Sequence, residues 1–121
     1  MVVLDFFSEW CGPCRIDLPR ANEWHKKRDD TGIVIIGVHT VGSPQEKIGK
    51  VIKEFDLQYP IVIDVASDRV GGHGWGRLYG EYGVHAIPHS FVIDREGNVA
   101  GHGSLAQTLV TAQGLARQPA K

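Results

Sequence analysis

Cysteine is scarce in this chain: of its 121 residues only two are cysteines, Cys11 and Cys14, and they stand two apart. A disulfide-stapled small scaffold is thereby excluded, because a framework of that kind needs several bridges spread along the sequence. Charge is balanced too, with a formal net charge of −1 and no cluster of Lys or Arg. A nucleic-acid partner therefore has no electrostatic foothold. No apolar run approaches the roughly 18 residues needed to cross a bilayer, so the sequence contains neither a spanning helix nor a signal peptide. Internal repeats and low-complexity blocks are absent as well. What remains is globular in composition, with 42% hydrophobic and 22% charged residues, and its length suits one core, predicting a single domain over residues 1–121.

"MVVLDFF" reads as strand from its first residue, with no leader or loop ahead of it, which predicts that the chain continues a longer protein. Val2 to Phe7 is a short run of apolar, β-branched and aromatic residues interrupted only by Asp5, as befits a strand buried on both faces. A helix is expected next, with Leu18, Ala21 and Trp24 on its inner face, a kink at Pro19, and His25, Lys26, Lys27 and Arg28 solvated near its end. "IVIIGV" forms a second buried strand, completing a βαβ unit with a parallel pair. Ser43, Pro44 and Glu46 spell a capping box, and Ile48, Val51, Ile52 and Phe55 then recur at helical spacing. "YPIVID" is a third strand candidate, where Pro60 marks an edge position or a first residue. "ASDRVGGHGWG" is a loop that Trp75 is expected to anchor in a pocket, the alternative being a contact with substrate, and a short helix at 77–82 follows. A hairpin is expected from "HSFVID" and "VAGHG" around "REGN", and Ser104 caps a last helix with Leu105, Leu109, Ala112 and Ala116 in one stripe. The order βα-β-αβ-α-ββ-α makes the fold class α/β, with a mixed β-sheet flanked by helices.

"EWCGPCRIDLP" holds both cysteines at a strand-to-helix junction. Cys-X-X-Cys there suits thiol–disulfide exchange, since positions i and i+3 of a helical turn lie at about 5–6 Å between Cα atoms, within reach of a disulfide. The first cysteine lies at the positive end of the helix dipole among unpaired amides, which should lower its pKa from about 8.5 toward about 7. Cys11 is thus the candidate nucleophile and Cys14 the resolving thiol, with Gly12 and Pro13 in the first turn, where a missing N–H costs nothing. A zinc site needs about four ligands, and no second ligand pair is present at suitable spacing: His85 and His89 are separated by Pro88, so no metal is expected. A staple closing so short a loop would constrain the unfolded chain little. "GGHGWG" lacks the G-x-G-x-x-G spacing and the strand-helix context of a dinucleotide site.

"WCGPC" after a buried strand, with "AIP" some 75 residues later and ahead of another strand, resembles the thioredoxin superfamily. The helix and strand inserted after the first βαβ unit and the "CRIDLP" continuation are similar to the membrane-anchored TlpA/ResA group, whose N-terminal hairpin this sequence lacks. That resemblance implies a thioredoxin fold and a thiol–disulfide oxidoreductase acting as a reductant of protein disulfides. It implies no cofactor beyond a redox-active Cys11–Cys14 disulfide. Its partners would be a protein disulfide or dithiol substrate and a separate redox donor or acceptor protein, on the bacterial periplasmic or another extracytoplasmic side, with a membrane tether in the full-length protein. Trp10 matches the aromatic residue flanking the nucleophile, and Pro88 matches a cis-proline that leaves the backbone at Ile87 free to pair with an extended substrate. Asp5, six residues before Cys11, matches a buried aspartate that relays a proton for the second cysteine; a strand-end aspartate facing water is the alternative. Gly37 stands where the superfamily's buried lysine is found, Asp17 where the TlpA/ResA group has glutamate, and His89 where threonine is common. His89 is expected to be a partly exposed strand residue, the alternative being a cation that tunes Cys11. A second functional class also fits: a non-catalytic peptide-binding or redox-sensing module using the "AIP" groove.

Overall fold

The structure is a computed structural model, and residues 1–118 are described. Five strands form one sheet in the order β3-β2-β1-β4-β5. β1 (Val2–Phe7) is central, parallel to β2 (Val34–His39) and antiparallel to β4 (His89–Ile93). β3 (Ile61–Ile63) runs parallel to β2 at one edge, and β5 (Val99–Gly103) runs antiparallel to β4 at the other. Pro60 directly precedes edge strand β3, the place where a residue without an N–H interrupts no ladder.

Alternation along β1 divides the core into two layers. Val3 and Phe7 join Leu18 and Ala21 of α1 (Gly12–Lys26) and Leu105, Leu109 and Ala112 of α5 (Leu105–Ala116). Phe6 faces the opposite way, against Val38, Tyr79, Val84 and Phe91. Because successive strand residues point to opposite sides, Asp5 lies between Val3 and Phe7 on the α1 side. A carboxyl group has thus been set into the larger apolar layer.

Gly37 is the register partner of Asp5 on β2. A Cβ there would lie 2.9 Å from the Phe7 ring and 3.2 Å from the Tyr59 ring, so the missing side chain makes room for two aromatics. α1 passes through Pro19 as one helix, and Pro19 is exposed, so the carbonyl it leaves unbonded lies on the solvent side. Ser104 caps α5 as expected, and Gln107 reciprocates from the third helical position in a complete capping box.

A single helical turn, α2 (Arg28–Thr31), follows α1. Two local expectations fail. α3 spans Gln45–Glu54 and Pro44, in extended conformation, is its N-cap; the carbonyl of Pro44 accepts the Lys47 amide at 3.0 Å, and no side chain caps this end. Ser43 therefore stands one residue too early, and the box with Glu46 does not form. His25 is buried rather than solvated, its Nδ1 accepting the Ile35 amide at 3.1 Å. Asn22 is buried beside it, donating to the Asp56 carbonyl at 2.9 Å and accepting the Gln58 amide at 2.7 Å. These two polar residues share the inner face of α1 with Leu18 and Ala21, while Trp24 is only partly buried. Hydrogen bonding compensates their burial, which apolar periodicity does not register.

Gly37→Ala is expected to destabilise the protein by about 1–3 kcal/mol through overpacking against Phe7 and Tyr59. Urea unfolding measures this, and an unchanged midpoint would contradict the packing described.

Candidate active site

The chain leaves β1 at Phe7, makes a tight turn through Ser8, Glu9 and Trp10, and enters α1 at Gly12. The Cys11 amide donates to the Ser8 carbonyl at 3.1 Å, closing that turn. Cys11 is the N-cap of α1, in extended conformation, and its Sγ accepts the Cys14 amide at 3.3 Å. An N-cap side chain ordinarily supplies an oxygen to these unpaired amides; here a sulfur occupies the position. Pro13 lies in the first turn, where its lack of a donor is harmless.

Cys11 and Cys14 are joined as a disulfide, with Cα atoms 5.3 Å apart. Cys11 is 5% exposed and Cys14 1%. Gly12 and Pro13 are exposed beside them, and Trp10 is 54% exposed, so the surface next to the buried pair is made by these three residues. Opposite, the Ile87 carbonyl oxygen lies 3.8 Å from Cys11 Sγ, and the Ile87–Pro88 peptide is cis. Pro88 immediately precedes β4, whose first residue, His89, pairs with Phe6 of β1. Antiparallel pairing therefore brings the start of β4 to the carboxyl end of β1, uniting residues 76 apart in sequence.

Asp5 is 1% exposed, and neither carboxylate oxygen has a hydrogen-bond partner. Burial, reinforced by the negative charge of Asp17, pushes its pKa up to about 8. The water-facing alternative is thus excluded, and Asp5 holds a proton at neutral pH. Asp17, one turn beyond Cys14 on α1, is itself raised by partial burial against the opposing pull of Arg20. The buried Tyr59 hydroxyl is likewise without a hydrogen-bond partner, and burial, then Asp5 and Asp17, raise its pKa.

Trp75 anchors its loop as expected: its ring lies 5.9 Å from those of Trp10 and Tyr79, and its carbonyl accepts the Val41 amide at 2.9 Å. His89 stacks on Phe91 and places its Nε2 3.1 Å from Nδ1 of His102. Partial burial, with His102 adding to it, lowers its pKa and so disfavours the cation that would tune Cys11. Among the described residues, no three His, Cys, Asp or Glu side chains are arranged to hold a metal ion.

Three site-building residues escaped the sequence. His39, at the end of β2, bonds the Glu9 amide within the cysteine turn at 2.9 Å. Tyr79 places its buried hydroxyl 2.8 Å from the Phe7 carbonyl oxygen and 2.7 Å from that of Val38, one proton serving both strand ends. Asp64 accepts the Tyr79 amide at 3.1 Å and so fixes α4 (Arg77–Glu81), which carries that tyrosine. Each contact joins positions far apart in sequence, and no local pattern marks them; a polar residue ending an apolar run was the only available sign.

A disulfide at the N-terminus of the helix that follows the central strand, opposed by a proline at the start of an antiparallel strand, defines a thioredoxin-type redox fold. The chain belongs to the AhpC/TSA family, whose model matches residues 1–102. Thiol-disulfide oxidoreductase ResA of Geobacillus thermodenitrificans is 36% identical over 98 residues, which is 81% of this chain and 51% of that protein. Sporulation thiol-disulfide oxidoreductase A of Bacillus subtilis is 28% identical over 99 residues, covering 80% of this chain and 54% of its own. The chain spans about half the length of the curated relatives it matches. Among solved structures, StoA from Bacillus subtilis superposes with a TM-score of 0.71 at 25% identity, covering 92% of this chain and 80% of the other. A thiol-disulfide isomerase from Corynebacterium glutamicum gives 0.81 at 20% identity, over 98% and 81%, a likeness of fold alone.

The state of Asp5 has a thermodynamic consequence. Its folded pKa lies above its unfolded value near 3.8, so between about pH 4 and 8 the unfolded chain has released a proton that the folded protein retains, and stability falls as pH rises through that window. Asp5→Asn removes this dependence. In the oxidised protein its gain in urea midpoint should grow from pH 4.5 to pH 7.5; a difference constant with pH would contradict the assignment.

Proposed function

We propose that this chain is a thiol–disulfide oxidoreductase that reduces protein disulfides, with Cys11 attacking and Cys14 resolving. The observation that carries the proposal is Cys11 Sγ at the cap of α1 with the Cys14 amide directed at it, and a partner sulfur one turn away. An anion at that position gains from both the dipole and a charge-assisted hydrogen bond. A Cys11 pKa near 7 would make about half of the thiol nucleophilic at neutral pH.

In the reduced protein the Cys11 thiolate attacks one sulfur of a substrate disulfide. The Cys11–substrate S–S bond forms, the substrate S–S bond breaks, and the displaced sulfur leaves as a thiolate that takes a proton from water. Cys14 must then lose its proton before it attacks Cys11. Asp5 is the proposed acceptor, acting in its ionised fraction: its position on the α1 side of β1 and its pKa near 8, where a thiol can deliver a proton at little cost, support the role. Attack by Cys14 forms the internal disulfide and releases the second substrate thiolate. Two electrons pass from the Cys11–Cys14 dithiol to the substrate, and a separate donor protein must restore them.

Gly12 and Pro13 between the cysteines favour the reducing direction, by the same likeness to reducing members of the superfamily. The Ile87 carbonyl beside Cys11 Sγ and the exposed Trp10 suit an extended peptide lying across the cysteine pair and pairing with the Ile87 backbone. The TlpA/ResA resemblance supports an extracytoplasmic site of action. No helix among the described residues is long and apolar enough to cross a membrane, so a tether would come from residues outside them.

Insulin reduction by the dithiol form tests the assignment. Cys11→Ser should abolish turnover while the fold persists, and Cys14→Ser should accumulate a mixed disulfide at Cys11. Undiminished turnover in Cys11→Ser would refute the proposal, leaving a binding module whose peptide affinity ignores the oxidation state of the pair.

A further inference from the structure

His39 ends β2 fully buried, at 0% exposure, with its ring edge-on to Phe7 at 5.1 Å. Both ring nitrogens are engaged: Nδ1 lies 2.8 Å from the Thr40 carbonyl oxygen, and Nε2 lies 2.9 Å from the Glu9 amide nitrogen. A carbonyl can only accept and an amide N–H can only donate. The neutral imidazole with its proton on Nδ1 is therefore the single form that satisfies both. Burial lowers its pKa and so favours that neutral form, against the opposing influence of the Thr40 bond and the Glu9 carboxylate.

Two further bonds join the same strand ends. Ser8 Oγ meets Thr40 Oγ1 at 2.9 Å, and the Thr40 amide donates to the Phe7 carbonyl at 3.2 Å. The turn from Ser8 to Cys11 is thus fastened to β2 at residue 8 by Thr40 and at residue 9 by His39. Cys11, the cap whose Sγ is aimed at the α1 amides, lies two residues beyond Glu9.

We propose that His39 is a positioning residue for the attacking thiol: by accepting the Glu9 amide, it holds the Glu9–Trp10–Cys11 backbone so that Cys11 Sγ stays against the first turn of α1. The inference rests on Cys11 being the attacking group. A thiolate gains from an N–H only while distance and direction hold, so loosening this turn should weaken the anion without removing any group that touches it. An unmet Glu9 amide would also draw water into the turn.

Two substitutions separate this role from general damage. His39→Phe keeps an aromatic ring against Phe7 and removes the acceptor, whereas His39→Gln offers a carboxamide oxygen at about the reach of Nε2. In the reduced proteins, thiolate absorbance followed against pH should place the Cys11 titration about one unit higher in His39→Phe, a roughly tenfold loss of thiolate below its midpoint. His39→Gln should stay within about twofold of the parent. A folded His39→Phe with the parental titration would overturn the proposal, and so would equal shifts in both variants. Should His39→Phe fail to fold, His39→Asn, whose shorter side chain keeps only the Thr40 contact, must show the shift that His39→Gln lacks, or the proposal fails. This titration needs no substrate, so its outcome is separate from that of insulin reduction: loss of the redox assignment leaves Cys11→Ser turning over, whereas loss of this one leaves the thiolate unmoved.

Discussion

A sulfur in place of an oxygen at the cap of α1 is the constraint on which the rest of the structure depends. Helix starts expose amides that need an acceptor, and here the acceptor is Cys11 Sγ, held by the Cys14 amide. Setting that cap at the carboxyl end of the central strand requires β1 to be fixed on every side, and it is: β2 and β4 flank it and apolar layers cover both faces. The Tyr79 hydroxyl then ties the Phe7 carbonyl at the end of β1 to the Val38 carbonyl of β2. Cys11 thus stands on a rigid platform, and the Ile87 carbonyl that faces its Sγ comes with the start of β4.

The same layer treats two acids in opposite ways. Cys11 meets amides that favour its anion, and Asp5 meets hydrocarbon that disfavours its own, with no partner for either oxygen. Burial, reinforced by the charge of Asp17, lifts the Asp5 carboxyl group from the usual carboxylate range to about 8. A carboxyl group placed there is what the proposed exchange cycle asks of an acceptor, since Cys14 must give up its proton at little cost. Gly37 contributes by withholding a side chain: no cation stands opposite Asp5, and the Tyr59 ring closes the space instead.

Local patterns made much of this legible. Cysteine spacing, the apolar runs of β1 and β2 and the helical stripes of α3 and α5 are all short-range signals, and each element stands where they put it. The mixed sheet followed from connection lengths. What stayed hidden was polar and long-range: His25 and Asn22 are buried because strand and loop amides reach them, and His39, Tyr79 and Asp64 act on groups at least fifteen residues away. The missed cap of α3 has another origin. Ser43 and Glu46 carry the right chemistry, but Pro44 is extended and starts the helix one residue later. Asp5 lay between these cases, since sequence gave its position within an apolar strand, and only the alternation of burial along β1 decided which way it faced.

The pH dependence of alkylation of the reduced wild-type protein by iodoacetamide, with the modified residue located by mass spectrometry, tests the central claim most directly. A helix-capped thiolate predicts reaction at Cys11 before Cys14, with a midpoint near pH 7. Reaction at Cys14 first, or a midpoint at about 8.5 or above, the value of an unperturbed thiol, would contradict it.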